Sequence, residues 1–357
     1  MKRVLRWLRR LGLGIFVLAV LGAGGLWMLE WHPEAQIQTP VVGPNRPPDP
    51  RSELHLVSWN IGYGGLGAEA DFFLDGGKQV RPASRSIVER NLGGVLDFLK
   101  AHPVDLLMLQ EVDKDAKRSH GIDQILAITE ALPAYSHSFA ANYRSPFVPA
   151  PLFDPLGRVH SGLLSMGRQH FTEALRLQLP GDYPWPTRVF HLKRCVHELR
   201  LPAPDGKDWV ILHLHLSAFD KDGELRVQQM DFLKKRMLRL HAEGHHVLLL
   251  GDWNHAPPNF ALDHYAHKAQ RPTWFQQVPV GWTPHGWHWA YDNQVPSLRA
   301  NNKPYSAGEN FVTTVDTLLL SPDIELLELK CHDLGFTHSD HNPIEAKIKI
   351  KGSDTGT

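Results

Sequence analysis

The chain has 357 residues, of which 42% are hydrophobic and 21% are charged, a composition typical of a globular protein with one large domain or two small ones. Basic and acidic residues balance at 38 each; without residues 1–30, which carry five basic residues and one acidic residue, 33 basic and 37 acidic residues remain. That remainder has no basic surplus of the kind that a nucleic-acid groove requires.

The chain begins with a basic cluster that is followed by an uncharged apolar run. Residues 1–10 (MKRVLRWLRR) carry five positive charges, and the run from Leu11 to Leu29 carries no charge. Because about 20 apolar residues span a bilayer, residues 11–30 are predicted to be a transmembrane signal anchor. Residues 1–10 then stay in the cytoplasm and the rest lies outside it, as in a single-pass protein of the cell (inner) membrane. A cleaved secretory signal, which begins in the same way, is the alternative.

The residues after the anchor divide into a spacer, one domain and a short tail. Residues 31–52 contain six prolines and no apolar periodicity, which predicts an extended, semi-rigid spacer between bilayer and domain. From Glu53, strand-like runs such as LHLVSWN and VDLLMLQEVD alternate with helix-like segments such as SIVERNLGGVLDFLKAH. This order predicts an α/β domain over residues 53–351, with two sheets packed face to face and helices outside. Residues 352–357 are predicted to be a flexible tail.

The two cysteines and a tryptophan-rich segment each have two interpretations. Cys195 and Cys331 are the only cysteines; they can pair in an oxidising compartment, or remain as buried free thiols in strand-like runs. The segment from Arg271 to Asn310 scatters four tryptophans among Pro, Gly and Asn, which predicts a long irregular loop. Its tryptophans either cover the core or enter a bilayer interface.

Polar side chains follow or interrupt several strand-like runs. They are Asn60, Glu111, His213, His215, Asp252, Asn254 and Asp316, and the pair Asp340 and His341 precedes another run. Each alone has an ordinary structural explanation, such as a turn, a hydrogen-bonded histidine or a partner for an arginine. Together they are expected to converge, because ligands of open α/β sheets collect beyond the carboxyl ends of strands.

The acidic members of this set predict a metal. Glu111, Asp252 and Asp340 offer hard oxygen ligands and the chain has no thiolate cluster, a combination that favours Mg²⁺ or Mn²⁺ over structural zinc. An aspartate beside a histidine can orient and activate a water. The chemistry that these residues indicate is metal-assisted hydrolysis.

The segments SWN, LQEVD, GLLS, HLHLSAF, GDWN, VDTLLLS and SDHNPI, in this order, resemble the endonuclease/exonuclease/phosphatase superfamily over about Leu54 to Ile350. The combination of GDWN with a later SDH carries most of the specificity. The resemblance implies a four-layer α/β sandwich of two mixed sheets flanked by helices. It also implies divalent metal and hydrolysis of a phosphate ester by direct attack of water.

The resemblance also implies a role for each matching residue. The implied metal ligands are Asn60, Glu111 and Asp340, and the implied catalytic residues are His215, Asp252, Asn254, Asp316 and His341. Asp316 holds His341, His215 binds a phosphate oxygen, and either Asp252 or His341 serves as general base. The sequence departs from the usual pattern at His213, where asparagine is common, and we prefer His215 over His213 as the functional histidine.

Three functions remain open at this stage. The leading one is a membrane-anchored phosphodiesterase or phosphatase whose substrate is a phospholipid head group or a small phosphoester. The second is an extracytoplasmic nuclease on DNA or RNA, and the third is a non-catalytic binding protein, which would be expected to have lost motif positions. Arg118, Arg194 and Arg299 are candidate phosphate contacts, although each can equally be a salt-bridge partner. Apart from the membrane, nothing in the sequence indicates a partner beyond the substrate.

Overall fold

The computed structural model describes residues 2–47, 49–218, 220, 223–261 and 263–352. Within these residues the strands are β1 (Gln36–Gln38), β2 (Glu53–Asn60), β3 (Leu106–Asp113), β4 (Ser136–Val148), β5 (Gly157–Gly167), β6 (Glu173–Gln178), β7 (Cys195–Pro202), β8 (Asp208–His215), β9 (His246–Asp252), β10 (His288–Ala290), β11 (Leu298–Arg299), β12 (Val312–Thr313), β13 (Asp316–Leu320), β14 (Ile324–Cys331) and β15 (Ile344–Ile350). The helices are α1 (Lys2–Leu29), α2 (Arg85–Ala101), α3 (Gln124–Ala131) and α4 (Glu224–Ala242), with short 3₁₀ helices at Gly62–Gly64, Phe73–Asp75 and Thr187–Phe190.

Thirteen of the described strands form two large mixed sheets, and β11 and β12 pair with each other in a separate antiparallel ladder. The first has the order β1-β6-β7-β8-β9-β13-β10, and the second has the order β14-β15-β2-β3-β5-β4. The parallel pairs are β8 with β9 in the first sheet and β2 with β3 in the second, and the other neighbours in the sheets are antiparallel. The predicted α/β fold with two mixed sheets is confirmed.

Side chains along each strand point alternately to the two faces of the sheet. The two sheets therefore pack on each other with their inner faces and on helices with their outer faces, which gives four layers. In β2, Leu56 belongs to the buried cluster between the sheets together with Leu248 of β9. Its neighbour Val57 faces the opposite way and packs in the cluster that contains Val88 of α2. The outer face of the first sheet is covered by α4, whose Leu233 is fully buried. Strands that are buried on both faces need apolar residues at nearly every position, which explains their continuous apolar runs.

The N-terminal helix and the segment after it differ partly from the sequence prediction. The helix α1 is long and apolar enough to cross a membrane from Arg3 to Leu29, and its span is not buried; a signal sequence would share these features. Residues 36–38 do not form a free spacer, because β1 pairs with the edge strand β6. The edge of a sheet offers unpaired backbone groups, and the proline-free stretch QIQ satisfies them. The prolines after Thr39 then prevent this pairing from continuing along the segment.

The open questions about the cysteines and the tryptophans have structural answers. Cys195 and Cys331 are free thiols that lie in separate buried clusters. Trp282 and Trp287 of the long irregular segment pack in the cluster beneath α4, so these two side chains cover the core. The tail predicted for residues 352–357 lies outside the described residues except for Gly352.

Candidate active site

Three neighbouring strands carry one row of polar side chains. The parallel register of β8 and β9 places His215 beside Asp252, and the antiparallel register of β9 and β13 places Asp316 on the other side of Asp252. The Nε2 atom of His215 lies 3.2 Å from Oδ2 of Asp252. All three side chains are buried. Strand register thus brings together residues that are up to 101 positions apart in the sequence.

His341 completes this row from the loop before β15. Its Nδ1 lies 2.7 Å from Oδ2 of Asp316, and its Nε2 lies 3.7 Å from Oδ2 of Asp252. The indole Nε1 of Trp59 donates to the backbone carbonyl of His341 at 2.8 Å and fixes the loop. Burial alone would lower the pKa of His341, but the carboxylates of Asp316 and Asp252 raise this pKa to about 10. Burial raises the pKa of Asp252 to about 7, against the opposing effect of His341.

The second sheet contributes Asn60 at the end of β2 and Glu111 in β3. Nδ2 of Asn60 donates to Oδ2 of Asp252 at 3.0 Å and lies 3.5 Å from Oε1 of Glu111. Oδ1 of Asn60 accepts from the backbone N–H of Gly62 at 3.0 Å and retains a second lone pair. The β3–β5 pairing is irregular between Leu109 and Val112, and Glu111 adopts a φ of 53° there. Such strained, bulged positions re-aim a side chain and cluster at functional sites.

Four carboxylates line the same pocket: Asp75, Glu111, Asp252 and Asp340. Burial raises the pKa of Glu111; the charge of Arg118 opposes that rise and the charge of Asp340 adds to it. The pKa of Asp75 rises to about 6, mainly through burial, with a contribution from Asp340. Anionic oxygens that repel one another in a buried pocket are a donor set suited to a hard divalent cation. Glu111 and Asp340 therefore fit a hard divalent cation.

The end of β9 is shaped by Gly251 and Asn254. Gly251 has a φ of +130°, and a Cβ atom there would lie 2.1 Å from the backbone oxygen of Leu214 in β8. Trp253 is buried, while Asn254, with a φ of 51°, lines the pocket. The backbone N–H of Asn254 donates to Oδ1 of Asp252 at 2.9 Å. The turn thus fixes the orientation of the Asp252 carboxylate through this hydrogen bond.

The two histidines of LHLHL have different surroundings. His213 lies between the sheets, where its Nε2 is 2.7 Å from Nε2 of Gln110 and its Nδ1 is 2.8 Å from Oγ of Ser165. His215 lines the pocket. Burial holds the pKa of His213 well below its usual value, and burial together with the charge of Arg194 does the same for His215. His215 is therefore the histidine that a substrate can reach.

The three candidate arginines differ in how their charges are satisfied. Arg118 donates from Nε and Nη2 to the carboxylate of Asp113, and Arg299 donates to the backbone oxygen of Gly67 at 2.6 Å. Arg194 lines the pocket, and its buried Nη1 has no hydrogen-bond partner within the described residues. Asp316, for which an arginine such as Arg194 was a possible partner, pairs with His341 instead. Of the three candidates, Arg194 is thus the one that combines a place in this pocket with an unpaired nitrogen.

Two pocket residues, Asn301 and Asp75, are not predicted from the sequence. Nδ2 of Asn301 donates to Oδ2 of Asp340 at 2.6 Å, and the backbone N–H of Asn301 donates to Oδ2 of Asp75 at 2.9 Å. Asn301 and Asp75 therefore position the carboxylate of Asp340. Neither residue lies at the end of a strand of the two large sheets, so no strand-end signal in the sequence could have found them.

Solved structures share this fold. An endonuclease/exonuclease/phosphatase from Beutenbergia cavernae DSM 12333 is 17% identical, with 84% of this chain and 72% of that chain covered and a TM-score of 0.53. The human Nocturnin catalytic domain with bound sulfate anion is 18% identical, with coverages of 87% and 97% and a TM-score of 0.51. D. rerio TDP2 complexed with single strand DNA product is 14% identical, with coverages of 84% and 100% and a TM-score of 0.53. No curated protein sequence gives a significant match.

The sequence profile of one family spans most of the chain. The profile of the Endonuclease/Exonuclease/phosphatase family matches residues 57–341. This range contains the candidate residues from Asn60 to His341 and every strand from β3 to β14. The chain belongs to the endonuclease/exonuclease/phosphatase family.

Proposed function

We propose that the protein is a divalent-metal-dependent hydrolase of phosphate esters, a phosphodiesterase or phosphatase, that acts outside the cytoplasm. Members of its family hydrolyse phosphoester bonds. The observation that carries the proposal is one pocket in which carboxylates meet the Asp316–His341 pair and the guanidinium of Arg194, whose Nη1 is unpaired within the described residues. Such a pocket offers anionic ligands for a metal and cationic donors for a phosphate.

We assign the metal-binding role to two of the pocket carboxylates, Glu111 and Asp340. Glu111 and Asp340, with the Asn60 oxygen, would hold Mg²⁺ or Mn²⁺. A bound metal supplies Lewis-acid polarisation of a phosphoryl oxygen and offsets the negative charge that grows in the transition state. Asn301 keeps Asp340 in place through its 2.6 Å hydrogen bond.

The remaining residues orient the water and the phosphate. Asp252, fixed by the side chain of Asn60 and the backbone of Asn254, accepts a proton from the attacking water. The water oxygen bonds to phosphorus as the bond to the leaving oxygen breaks. His341, whose Nδ1 is held by Asp316, turns Nε2 toward the pocket and donates to a phosphoryl oxygen.

Three further side chains contact the phosphate in this proposal: Arg194, His215 and Asn254, all of which line the pocket. The guanidinium of Arg194 is suited to bidentate contact with phosphate oxygens. His215, beside Asp252, binds a phosphate oxygen through its ring N–H. These contacts fix the phosphate in line with the water, which is a large part of phosphoryl-transfer catalysis.

Hydrolysis of model esters tests the proposal directly. Purified full chain is assayed on bis-p-nitrophenyl phosphate, a diester, and p-nitrophenyl phosphate, a monoester, after EDTA treatment and again with Mg²⁺ or Mn²⁺ restored. We expect activity only when metal is restored, and the ratio of the two rates separates diesterase from phosphatase. Absence of a metal response on either ester and on DNA would leave only a non-catalytic binding role.

The location proposed for the catalytic domain rests on the basic residues in the first turns of α1. Residues 2–10 carry five basic side chains, and such clusters remain in the cytoplasm. Protease added to intact spheroplasts is expected to digest the catalytic domain, whereas protection until the membrane is lysed would contradict an extracytoplasmic site.

A nuclease is the second candidate. Its support is the TDP2 structure from D. rerio, solved with a single strand DNA product, which shares the fold. The absence of a basic surplus after residue 30 argues against a backbone-binding track. Plasmid and single-stranded DNA in the same assay decide between the candidates, because a nuclease should prefer them to the nitrophenyl esters by orders of magnitude in kcat/KM.

A further inference from the structure

A second, more apolar groove opens beside the proposed phosphate site. The two cavities share Glu111, Arg194 and His215 in their walls, so they are continuous. Away from the shared wall, the groove is lined by Leu74, Leu156 and several aromatic side chains. A molecule with its phosphate at the shared wall would extend its other end over this apolar surface.

Three loop regions build the far wall of the groove. Val148 and Leu156, at the two ends of the β4–β5 loop, pack in one cluster with Phe190 and Leu192 from the segment before β7. The hydroxyl of Tyr143 donates to the backbone oxygen of Phe190 at 2.9 Å. The region around Phe73 packs against the same cluster. The three loops therefore form one surface around one small core.

These same loops, and the end of β4 that leads into one of them, expose large apolar side chains. They are Leu74, Phe147, Leu152, Phe153 and Trp185, of which Phe153 is 97% exposed and Leu152 is 79% exposed. Isolated exposed apolar residues are ordinary, but a concentration on adjoining loops marks a contact surface. Because the loops meet around one cluster, we treat these five residues as the apolar rim of the groove.

The end of the membrane helix is attached to the segment that builds this wall. Glu30 directly follows α1, is buried, and pairs with Arg188 and Lys193, each at 3.1 Å. Lys193 lies between Leu192 and Arg194, which both line the groove. Lys193, which Glu30 contacts, is thus directly bonded in the chain to two residues that line the groove. A bilayer that contains α1 would therefore begin close to the wall of the groove that Leu192 and Arg194 form.

We propose that the groove binds the hydrocarbon part of an amphiphilic phosphate ester drawn from the bilayer that holds α1, with the apolar rim inserted into the interface. The proposal rests on the proposed function and specifies its substrate class. The phosphate enters the carboxylate-lined pocket at Arg194, while the chain lies along Leu74, Leu156 and Leu192. Transfer of the substrate then needs no passage of its hydrocarbon through water, which the hydrophobic effect opposes.

A kinetic experiment tests the groove. Full chain reconstituted in phosphatidylcholine vesicles is assayed on p-nitrophenyl alkyl phosphates that share one reacting centre and differ in alkyl length, from ethyl to dodecyl. We expect kcat/KM to rise by up to about fourfold per methylene until the groove is filled. In the double variant Leu74→Gln/Leu192→Gln, the ratio of kcat/KM on the dodecyl ester to kcat/KM on the ethyl ester should fall at least tenfold. This is about the contribution of two methylene groups. The matched variant Leu327→Gln, which changes an exposed leucine on β14, should keep the ratio of the unmodified chain.

A fluorescence experiment tests the rim without relying on activity. Both native cysteines are buried, so an NBD label reacts selectively at Phe153→Cys or at the control Leu327→Cys. In vesicles that contain brominated phosphatidylcholine, the label at residue 153 should be quenched and the label at residue 327 should not. Equal quenching at the two positions, together with a kcat/KM that does not change with alkyl length, would overturn the proposal. A preference of the enzyme for single-stranded DNA over every alkyl ester would also overturn it. Failure of the proposed function looks different, because no nitrophenyl ester would then be hydrolysed.

Discussion

Oδ2 of Asp316 lies 2.7 Å from Nδ1 of His341, at a position where both side chains are buried. The aspartate fixes the orientation of the imidazole and the nitrogen that carries its proton, and its charge raises the pKa of His341. Asn at position 316 would keep the shape but lose the charge. We expect Asp316→Asn to lower kcat on bis-p-nitrophenyl phosphate by about 100-fold or more.

A second His–Asp pair supplies the control for this variant. Nδ1 of His246 contacts Oδ2 of Asp323 at 2.5 Å, and His246 begins the strand β9 that Asp252 ends. Asp323→Asn therefore removes the same kind of pair at the opposite end of one strand. It should change thermal stability without a large change in kcat, and a similar loss of kcat in both variants would refute the special role of Asp316.

Glu111 is expected to control the response to metal. Glu111→Gln removes one anionic ligand, so the concentration of Mn²⁺ that gives half-maximal activity should rise at least about 10-fold. A ligand that binds only the folded state raises stability, and the increase in melting temperature on adding Mn²⁺ should shrink as well. Glu89→Gln, an exposed change on α2, is the control. Unchanged metal dependence in Glu111→Gln would remove Glu111 from the metal site.

Sequence patterns were sufficient to predict pocket residues at strand ends, but not pocket residues that loops contribute. The residues at the ends of β2, β8 and β9 could be predicted to converge because the carboxyl ends of neighbouring parallel strands meet, and the register of β8 with β9 does place His215 beside Asp252. Asn301 and Asp75 reach Asp340 from loops. Loop conformation depends on tertiary packing that leaves no periodic trace in the sequence.

The segment after the N-terminal helix α1 illustrates a second limit. Its prolines indicate an extended chain, and the chain is extended at Gln36–Gln38, but there it pairs with β6. Whether an extended segment stays free or adds to a sheet depends on an unpaired edge elsewhere in the fold. The ion pairs of Glu30 with Arg188 and Lys193 could not be predicted from the sequence either, because these partners lie more than 150 residues away from Glu30.

Arg194 and Arg118 should respond oppositely to substitution. Arg194→Leu removes a guanidinium whose Nη1 has no partner in the described residues, so it should lower kcat/KM by about 100-fold with no loss of unfolding free energy. Arg118→Leu leaves Asp113 buried without its partner and should lower the unfolding free energy by about 3–5 kcal/mol. Urea unfolding and steady-state kinetics on both variants measure these effects. Strong destabilisation by Arg194→Leu would show that Arg194 has a structural partner after all.

Gly251 is expected to be intolerant of any side chain. The Cβ atom in Gly251→Ala would lie 2.1 Å from the backbone oxygen of Leu214, so β8 and β9 must separate at the place where they hold His215 and Asp252. We expect a loss of more than about 3 kcal/mol in unfolding free energy together with loss of activity. Gly206→Ala is the matched control, since Gly206 also has a positive φ, +81°, but its Cβ would meet no atom within 4 Å. That variant should lose only about 1 kcal/mol and remain active; equal effects of the two substitutions would show that backbone conformation, and not the close approach of β8, makes glycine necessary at position 251.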